Sequence, residues 1–149
     1  MLLEEEYYIG VPHLDAQHRA LFKTMDRVKD ILMKDDYERN KRLCKEAIKF
    51  FVDHASRHFS DEEAYMRSIH FANYELHKAQ HDAIKENLLL FEQDIIASDY
   101  SPQSIKHLLG IMMAWLTYHT IEIDSVIGKE IPRIDCSNDA AVALEKAVV

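Results

Sequence analysis

The sequence predicts an all-α fold: an up-down-up-down four-helix bundle with an extended N-terminal arm and a short C-terminal tail. Three observations carry this. Only three Gly and three Pro occur in 149 residues, so long stretches lack both helix breakers. Apolar residues recur in alternating steps of three and four through four long segments. Short polar stretches separate those segments, and short connections make consecutive helices antiparallel.

Taken in order, the first dozen residues, through Gly10 and Pro12, read as an extended arm. Asp15 is the predicted cap of a first helix reaching about Lys34, with Leu14, Leu21, Phe22, Met25, Val28 and Leu32 turned inward. Asp35-Asp36-Tyr37 makes a turn. A second helix follows from about Glu38 to Ile69, facing Leu43, Ala47, Phe51, Ala55, Phe59, Met66 and Ile69 into the core. Asn73 caps a third helix ending near Ala97. Its stripe of Tyr74, His77, His81, Ile84, Leu88, Phe91 and Ile95 has the narrow width of a bundle seam. Ser101-Pro102 places a cap before a proline at the first helical position. The fourth helix buries Ile105, Leu108, Met112, Trp115, Leu116 and Ile123, and is predicted to stop at Gly128, ahead of Pro132. Residues 1–149 read as one domain with a core from about 10 to 132. Residues 133–149 form a tail with a short helical pattern, Asp139 to Val148, either docked or connecting to an output domain or signalling partner.

Composition excludes several functions. A net charge of −8 argues against nucleic acid, whose phosphates need clustered Lys and Arg, and against an anionic membrane surface. The longest apolar run, Leu108 to Leu116, is too short to span a bilayer. The acidic start, Met-Leu-Leu-Glu-Glu-Glu, lacks the basic and apolar regions of a signal peptide. Cys44 and Cys136 show no metal or redox spacing, and both features suit the cytoplasm.

The nine histidines are not scattered at random. His18, His58, His77, His81 and His119 fall on inward stripes of the four helices. Glu62 follows His58 by four residues, as His81 follows His77, so each pair projects from one face about 6 Å apart along the axis. A single core His is ordinarily a hydrogen-bonded structural residue. Five at one level, with a carboxylate, need something to coordinate. Mg and Ca want oxygen donors, and structural Zn closes at four ligands. Five His and two carboxylates instead suit two ions roughly 3.5–4 Å apart, bridged by carboxylates. Helix geometry alone leaves two choices open. Asp124 lies five residues after His119, about 140° around an ideal α-helix, whereas Glu122 projects nearer. His54 and His58 likewise make an i, i+4 pair, and either can serve on the second helix. His13 and His70 read as loop residues, His107 as surface.

Four motifs stand in order: Leu14-Asp15-Ala16-Gln17-His18; His58-Phe59-Ser60-Asp61-Glu62-Glu63 with Met66; His77-Lys78-Ala79-Gln80-His81; and Trp115-Leu116-Thr117-Tyr118-His119 followed by Asp124. In order and spacing they resemble the bacterial hemerythrins over about Gly10 to Pro132. The resemblance implies that His77, His81 and His119 hold one iron and that His18 and His58 hold the other. Glu62 and Asp124, with an oxo or hydroxo ligand, would bridge the two iron ions. The first iron then has six ligands and the second five, leaving one position for O2. A local widening of the fourth helix would bring Asp124 inward, and His58 rather than His54 would be the ligand. Phe59, Trp115 and Leu116 would keep the O2 pocket dry. Tyr65, Tyr74 and Tyr118 are candidates to hydrogen-bond the ligating His. The implied function is reversible O2 binding, as an oxygen carrier or store or as an O2- or redox-sensing domain, without net reaction and so without enzymatic activity. A di-iron oxidase, a nitric oxide scavenger and an iron-handling protein are the alternatives on this scaffold. A histidine phosphotransfer bundle needs one exposed His, and a plain helical interaction module leaves the buried His unexplained.

Overall fold

The computed structural model describes residues 7–34 and 36–130. Helix α1, Pro12–Leu32, begins on a proline, whose fixed φ suits the first helical position and forfeits no hydrogen bond there. Asp15 is therefore not the cap that was predicted. The cap position belongs to Val11, and Asp15 sits one turn inside the helix. Its carboxylate reaches back instead to accept the N–H groups of Ile9 at 2.7 Å and Gly10 at 3.0 Å. It thus satisfies donors of the arm rather than of the helix. Gly10 has φ +90°, a conformation that favours glycine, and this turns the arm back along α1.

Helix α2, Tyr37–Ser68, is capped by Asp36, whose side chain accepts the Arg39 N–H. Helix α3, Tyr74–Ala97, follows Asn73 as predicted, although that side chain makes no capping bond. Between α3 and α4, Asp99 and Tyr100 both take left-handed backbone, at φ 52° and 56°. They are held by the Tyr37 hydroxyl, which donates to the Tyr100 carbonyl at 2.6 Å, and by Lys41, 2.8 Å from Asp99. Helix α4, Pro102–Tyr118, starts as the Ser101-Pro102 pair predicts, with Ser101 Oγ accepting the Ser104 N–H at 3.2 Å.

The chain then widens into six residues of π-helix, His119–Asp124, and resumes as α5, Ser125–Glu130. Gly128 does not end the helix, contrary to expectation. It permits a close approach, since a Cβ there would lie 2.6 Å from the Ile9 carbonyl oxygen. Residues 1–6, Asp35, Pro132 and the tail 133–149 with its helical pattern and Cys136 lie outside the described residues.

Short links reverse the direction of each long helix. α1 packs on α2 and α4, and α3 packs on the same two, which is the closed square of a four-helix bundle. Most residues predicted to face inward do so. Leu43 is 39% exposed while Cys44 takes the core position, and Ile31 is buried in place of Leu32. Tyr74, Phe91, Trp115 and Ile123 are half-buried. The core has two parts. A long apolar cluster includes Met25, Phe51, Phe59, Ile84 and Leu116. A small one, Ile9, Leu14, Met66, Phe71 and Ile127, closes the other end. On each long helix the candidate His and carboxylates fall between these clusters. No described helix is long and apolar enough to cross a membrane.

Candidate metal centre

Seven side chains meet in the layer between the clusters, each 0–3% exposed. His18 comes from α1, His58 and Glu62 from α2, His77 and His81 from α3, and His119 and Asp124 from the π-helical turn. Glu62 Oε1 lies 2.9 Å from His77 Nε2 and 3.2 Å from His81 Nε2. Asp124 Oδ1 lies 2.9 Å from both His77 Nε2 and His119 Nε2. The second oxygens of the same carboxylates face the other way. Glu62 Oε2 is 3.2 Å from His58 Nε2 and 3.6 Å from His18 Nε2, and Asp124 Oδ2 is 2.9 Å from His18 Nε2. Two groups of donor atoms result, Glu62-His77-His81-His119-Asp124 and His18-His58-Glu62-Asp124, each compact enough to hold a metal ion and sharing both carboxylates.

The π-helical turn resolves the ambiguity on the fourth helix. Its i→i+5 hydrogen bonding adds a residue to the turn, so His119 and Asp124, five apart, return to one face. Glu122 is exposed. On α2, His58 enters the layer, whereas His54 is half-buried and stacks on Phe50 with ring centroids 5.0 Å apart. His70, in the turn after α2, and His107 are exposed, as expected; His13 is also exposed, but lies in the first turn of α1 rather than in a loop.

Whether these donors suit a cation is tested by their own contacts. His18 Nε2, His58 Nε2, His77 Nε2 and all four oxygens of Glu62 and Asp124 are buried without a hydrogen-bond partner, although most lie about 3 Å from one another. Such atoms converge on a shared point rather than aim at each other. For bonds of about 2.1 Å, adjacent octahedral ligands sit about 3.0 Å apart, which is the spacing found. His81 Nε2 and His119 Nε2 face each other at 3.1 Å, close enough to share one proton or to ligate one ion. The donor set fits metal ions.

The electrostatics agree. Burial opposes ionisation of Glu62 and Asp124, yet the imidazoles around them hold both carboxyls well below the usual range, so both are anions. Burial pulls His18 and His77 down, but Asp124 and Glu62 outweigh it and raise them to about 10 and about 9 in the ion-free chain. His58 is lowered, by burial first and by His18 second. Two buried carboxylates thus demand positive charge, which protons or metal ions can supply in competition.

Two partners were missed in the sequence. His58 Nδ1–H donates to Gln17 Oε1 at 2.8 Å, and Gln17 Nε2 donates in turn to Asp61 at 2.7 Å. His81 Nδ1–H donates to Glu63 Oε1 at 3.0 Å. Protons held on Nδ1 leave the Nε2 lone pairs pointing into the centre. Two of the three candidate tyrosines do not fill this role: Tyr74 accepts from Arg67, and Tyr118 is 60% exposed. Gln17 and Glu63 each adjoin a candidate ligand in the motifs, and adjacency was the only available signal. On the apolar side, Phe59 stacks on His81 at 4.4 Å and Trp115 on His119 at 5.7 Å, while Leu116 is buried below.

Comparison with known proteins agrees with this geometry. The family described as hemerythrin HHE cation binding domain matches residues 9–131. The chain is 27% identical over 122 residues to a bacteriohemerythrin of Clostridium acetobutylicum, spanning 81% of this chain and 93% of the relative. It is 27% identical over 126 residues to a bacteriohemerythrin of Aquifex aeolicus, spanning 83% and 91%. No solved structure matches it significantly. A match over most of the chain, on a four-helix bundle whose His and carboxylates meet in one buried layer, shows that this protein belongs to the hemerythrin family.

Proposed function

We propose that the seven side chains hold two non-haem iron ions and that this di-iron centre binds O2 reversibly. One observation carries the reading: Glu62 and Asp124 each turn one oxygen toward the three-His group and the other toward His18 and His58. A carboxylate disposed in this way is a bridge between two ions. His77, His81 and His119 would hold one ion, and His18 and His58 the other. Two ferrous ions, when bound, supply the two electrons that O2 takes up on binding and returns on release.

The chain's own residues set the conditions. The Gln17 and Glu63 acceptors fix the tautomers of His58 and His81, so their Nε2 atoms are ligands without a prior proton loss. Three His and two carboxylates would hold one ion and two His and two carboxylates the other, so the His18–His58 group offers one donor fewer. Phe59, Trp115 and Leu116 pack the layer against the apolar core and exclude water from it. The ligand set is richer in His than that of bundle di-iron carboxylate proteins, which use four Glu and two His, and this favours O2 binding over oxidase chemistry. No catalytic role is assigned. The names of the two relatives support the same reading. Carriage or storage and O2 or redox sensing use the same centre.

The test is a visible spectrum of anaerobically reduced, iron-loaded protein before air, after air and after argon flushing, with iron measured on the same sample. Two irons per chain and absorption that appears with O2 and disappears under argon are expected. Persistence for hours counts against a fast-autoxidising redox sensor, though not against every sensor, whereas irreversible oxidation within minutes favours one. A protein that retains one iron or none overturns the di-iron reading.

A further inference from the structure

His58 and His81 are held from behind in different ways. His81 Nδ1 meets the Glu63 carboxylate at 3.0 Å. A carboxylate only accepts, so this ring must carry its proton on Nδ1. His58 Nδ1 meets instead the side-chain amide of Gln17, at 2.8 Å. An amide has an accepting end and a donating end of nearly the same shape, and by itself it makes no choice between them. With Gln17 Oε1 toward the ring, His58 carries Nδ1–H and offers its Nε2 lone pair to the centre. With the NH2 group toward the ring, Nδ1 must accept, the proton moves to His58 Nε2, and the ring cannot ligate there.

The non-ligating tautomer has something to gain. His58 Nε2 lies 3.2 Å from Glu62 Oε2, a buried oxygen without a hydrogen-bond partner. A proton on Nε2 would be donated to that carboxylate, and hydrogen bonds to an ionised acceptor are the strong ones. Gln17 must therefore be held against this pull. The group in place to hold it is Asp61, three residues after His58 on α2. Asp61 Oδ2 lies 2.7 Å from the far end of the Gln17 amide. It too only accepts, so the Gln17 NH2 faces Asp61 and Oε1 is left for His58. Gln17 and Asp61 are both half-buried, where such a bond is stronger than in open water.

We propose that Asp61 is a positioning residue: through Gln17 it selects the ligating tautomer of His58, and so sets metal affinity at the His18–His58 group. The His77–His81–His119 group does not depend on it, because Glu63 holds His81 directly. The division between two ions rests on the di-iron reading, whereas the choice of tautomer does not.

Asp61→Lys replaces the acceptor with a donor and should turn the Gln17 amide round. In ¹⁵N spectra of the metal-free full chain, the His58 proton is expected on Nδ1 in the parent and on Nε2 in this variant. Asp61→Asn keeps the shape but offers either end, and should show both tautomers. In anaerobic Fe(II) titrations against a chelator, the parent should fill two sites, and Asp61→Lys should weaken one of them about 10–100-fold while the other stays within about threefold. Adding Gln17→Glu to Asp61→Lys puts a carboxylate against the ring, paired with the new lysine, and should return both sites to within about threefold of the parent. A His58 proton that stays on Nδ1 in Asp61→Lys, or a double variant as weak as Asp61→Lys alone, overturns the proposal. A parent that fills one site or none overturns the di-iron reading instead, and the metal-free spectra then still decide the role of Asp61.

Discussion

Replacing Gly128 with Ala sets two effects of opposite sign against each other. Helix propensity alone favours Ala by about 1 kcal/mol in a helical segment. The structure predicts the reverse. The new Cβ would stand 2.6 Å from the Ile9 carbonyl oxygen, and since ordinary contact begins at 3.4 Å, the arm or α5 must retreat by about 0.8 Å, the difference of the two. The obstacle is backbone, and it is tethered, because the Ile9 and Gly10 N–H groups are both held by Asp15. Overpacking of this kind costs about 1–3 kcal/mol, and weakening a hydrogen bond to a carboxylate costs about 1.5–3 kcal/mol. Set against the propensity gain, the net loss is about 1.5–5 kcal/mol. At roughly 3–4 °C per kcal/mol for a chain of this size, the melting point should fall by about 5–20 °C.

Gly110 is the control: it lies within α4, and a Cβ there meets nothing within 4 Å. Gly110→Ala should gain up to about 1 kcal/mol and melt about 3 °C higher. Circular dichroism melts of both variants, with and without iron, make the comparison. Because α5 follows directly on Asp124, iron content should also drop in Gly128→Ala. If Gly128→Ala melts at or above the parent, the arm does not press on α5 and the reasoning fails.

Further outcomes follow from the centre. Asp124→Asn should lose at least half of the bound iron while Glu122→Gln keeps it, and metal analysis of the two purified variants separates them; the converse pattern would mean that the π-helical turn aims the other acid inward. Glu63→Ala leaves the His81 Nδ1–H without its acceptor and should weaken iron binding about 10–100-fold in a chelator competition, with the fold intact. His119→Ala should lose iron and His54→Ala should retain it near the parental level; equal loss would reassign the α2 ligand. In the metal-free protein, His18 and His77 have folded pKa values of about 10 and about 9, above the ordinary 6.5. Their contribution is fully present below about pH 6.5 and is lost as pH rises through 9–10, so urea midpoints should fall across that window. Bound metal replaces those protons, and the alkaline loss should vanish in the loaded protein.

The helices and the inward His were legible because their signal is local. Steps of three and four reflect the geometry of one helix, so His77-His81-Ile84-Leu88 and His58-Glu62 share faces whatever surrounds them. A cap such as Ser101 or a first-turn proline such as Pro102 acts within four residues and is equally readable. Boundaries that depend on distant chain were not. Asp15 has the composition of a cap, but the partners it found are on the arm; Gly128 has the composition of a stop, but its lack of a Cβ serves Ile9, more than a hundred residues away. The exchange of Leu43 for Cys44 in the core is a rotation of less than a third of a turn, set by how α2 seats against α1.

The same division runs through the centre. By itself the sequence determined which residue types were present, on which helices and in what order, and hence that His and carboxylates would crowd a small core. Tertiary structure alone decided that Asp124 and not Glu122 faces inward, that Glu62 and Asp124 each divide their oxygens between two groups, and that Gln17 and Glu63 hold the His58 and His81 rings. The physical reason is that a π-helical turn costs regular hydrogen bonding and gains nothing within its own six residues. Its reward lies in aiming His119 and Asp124 at side chains from three other helices, and those meet only when the bundle has closed.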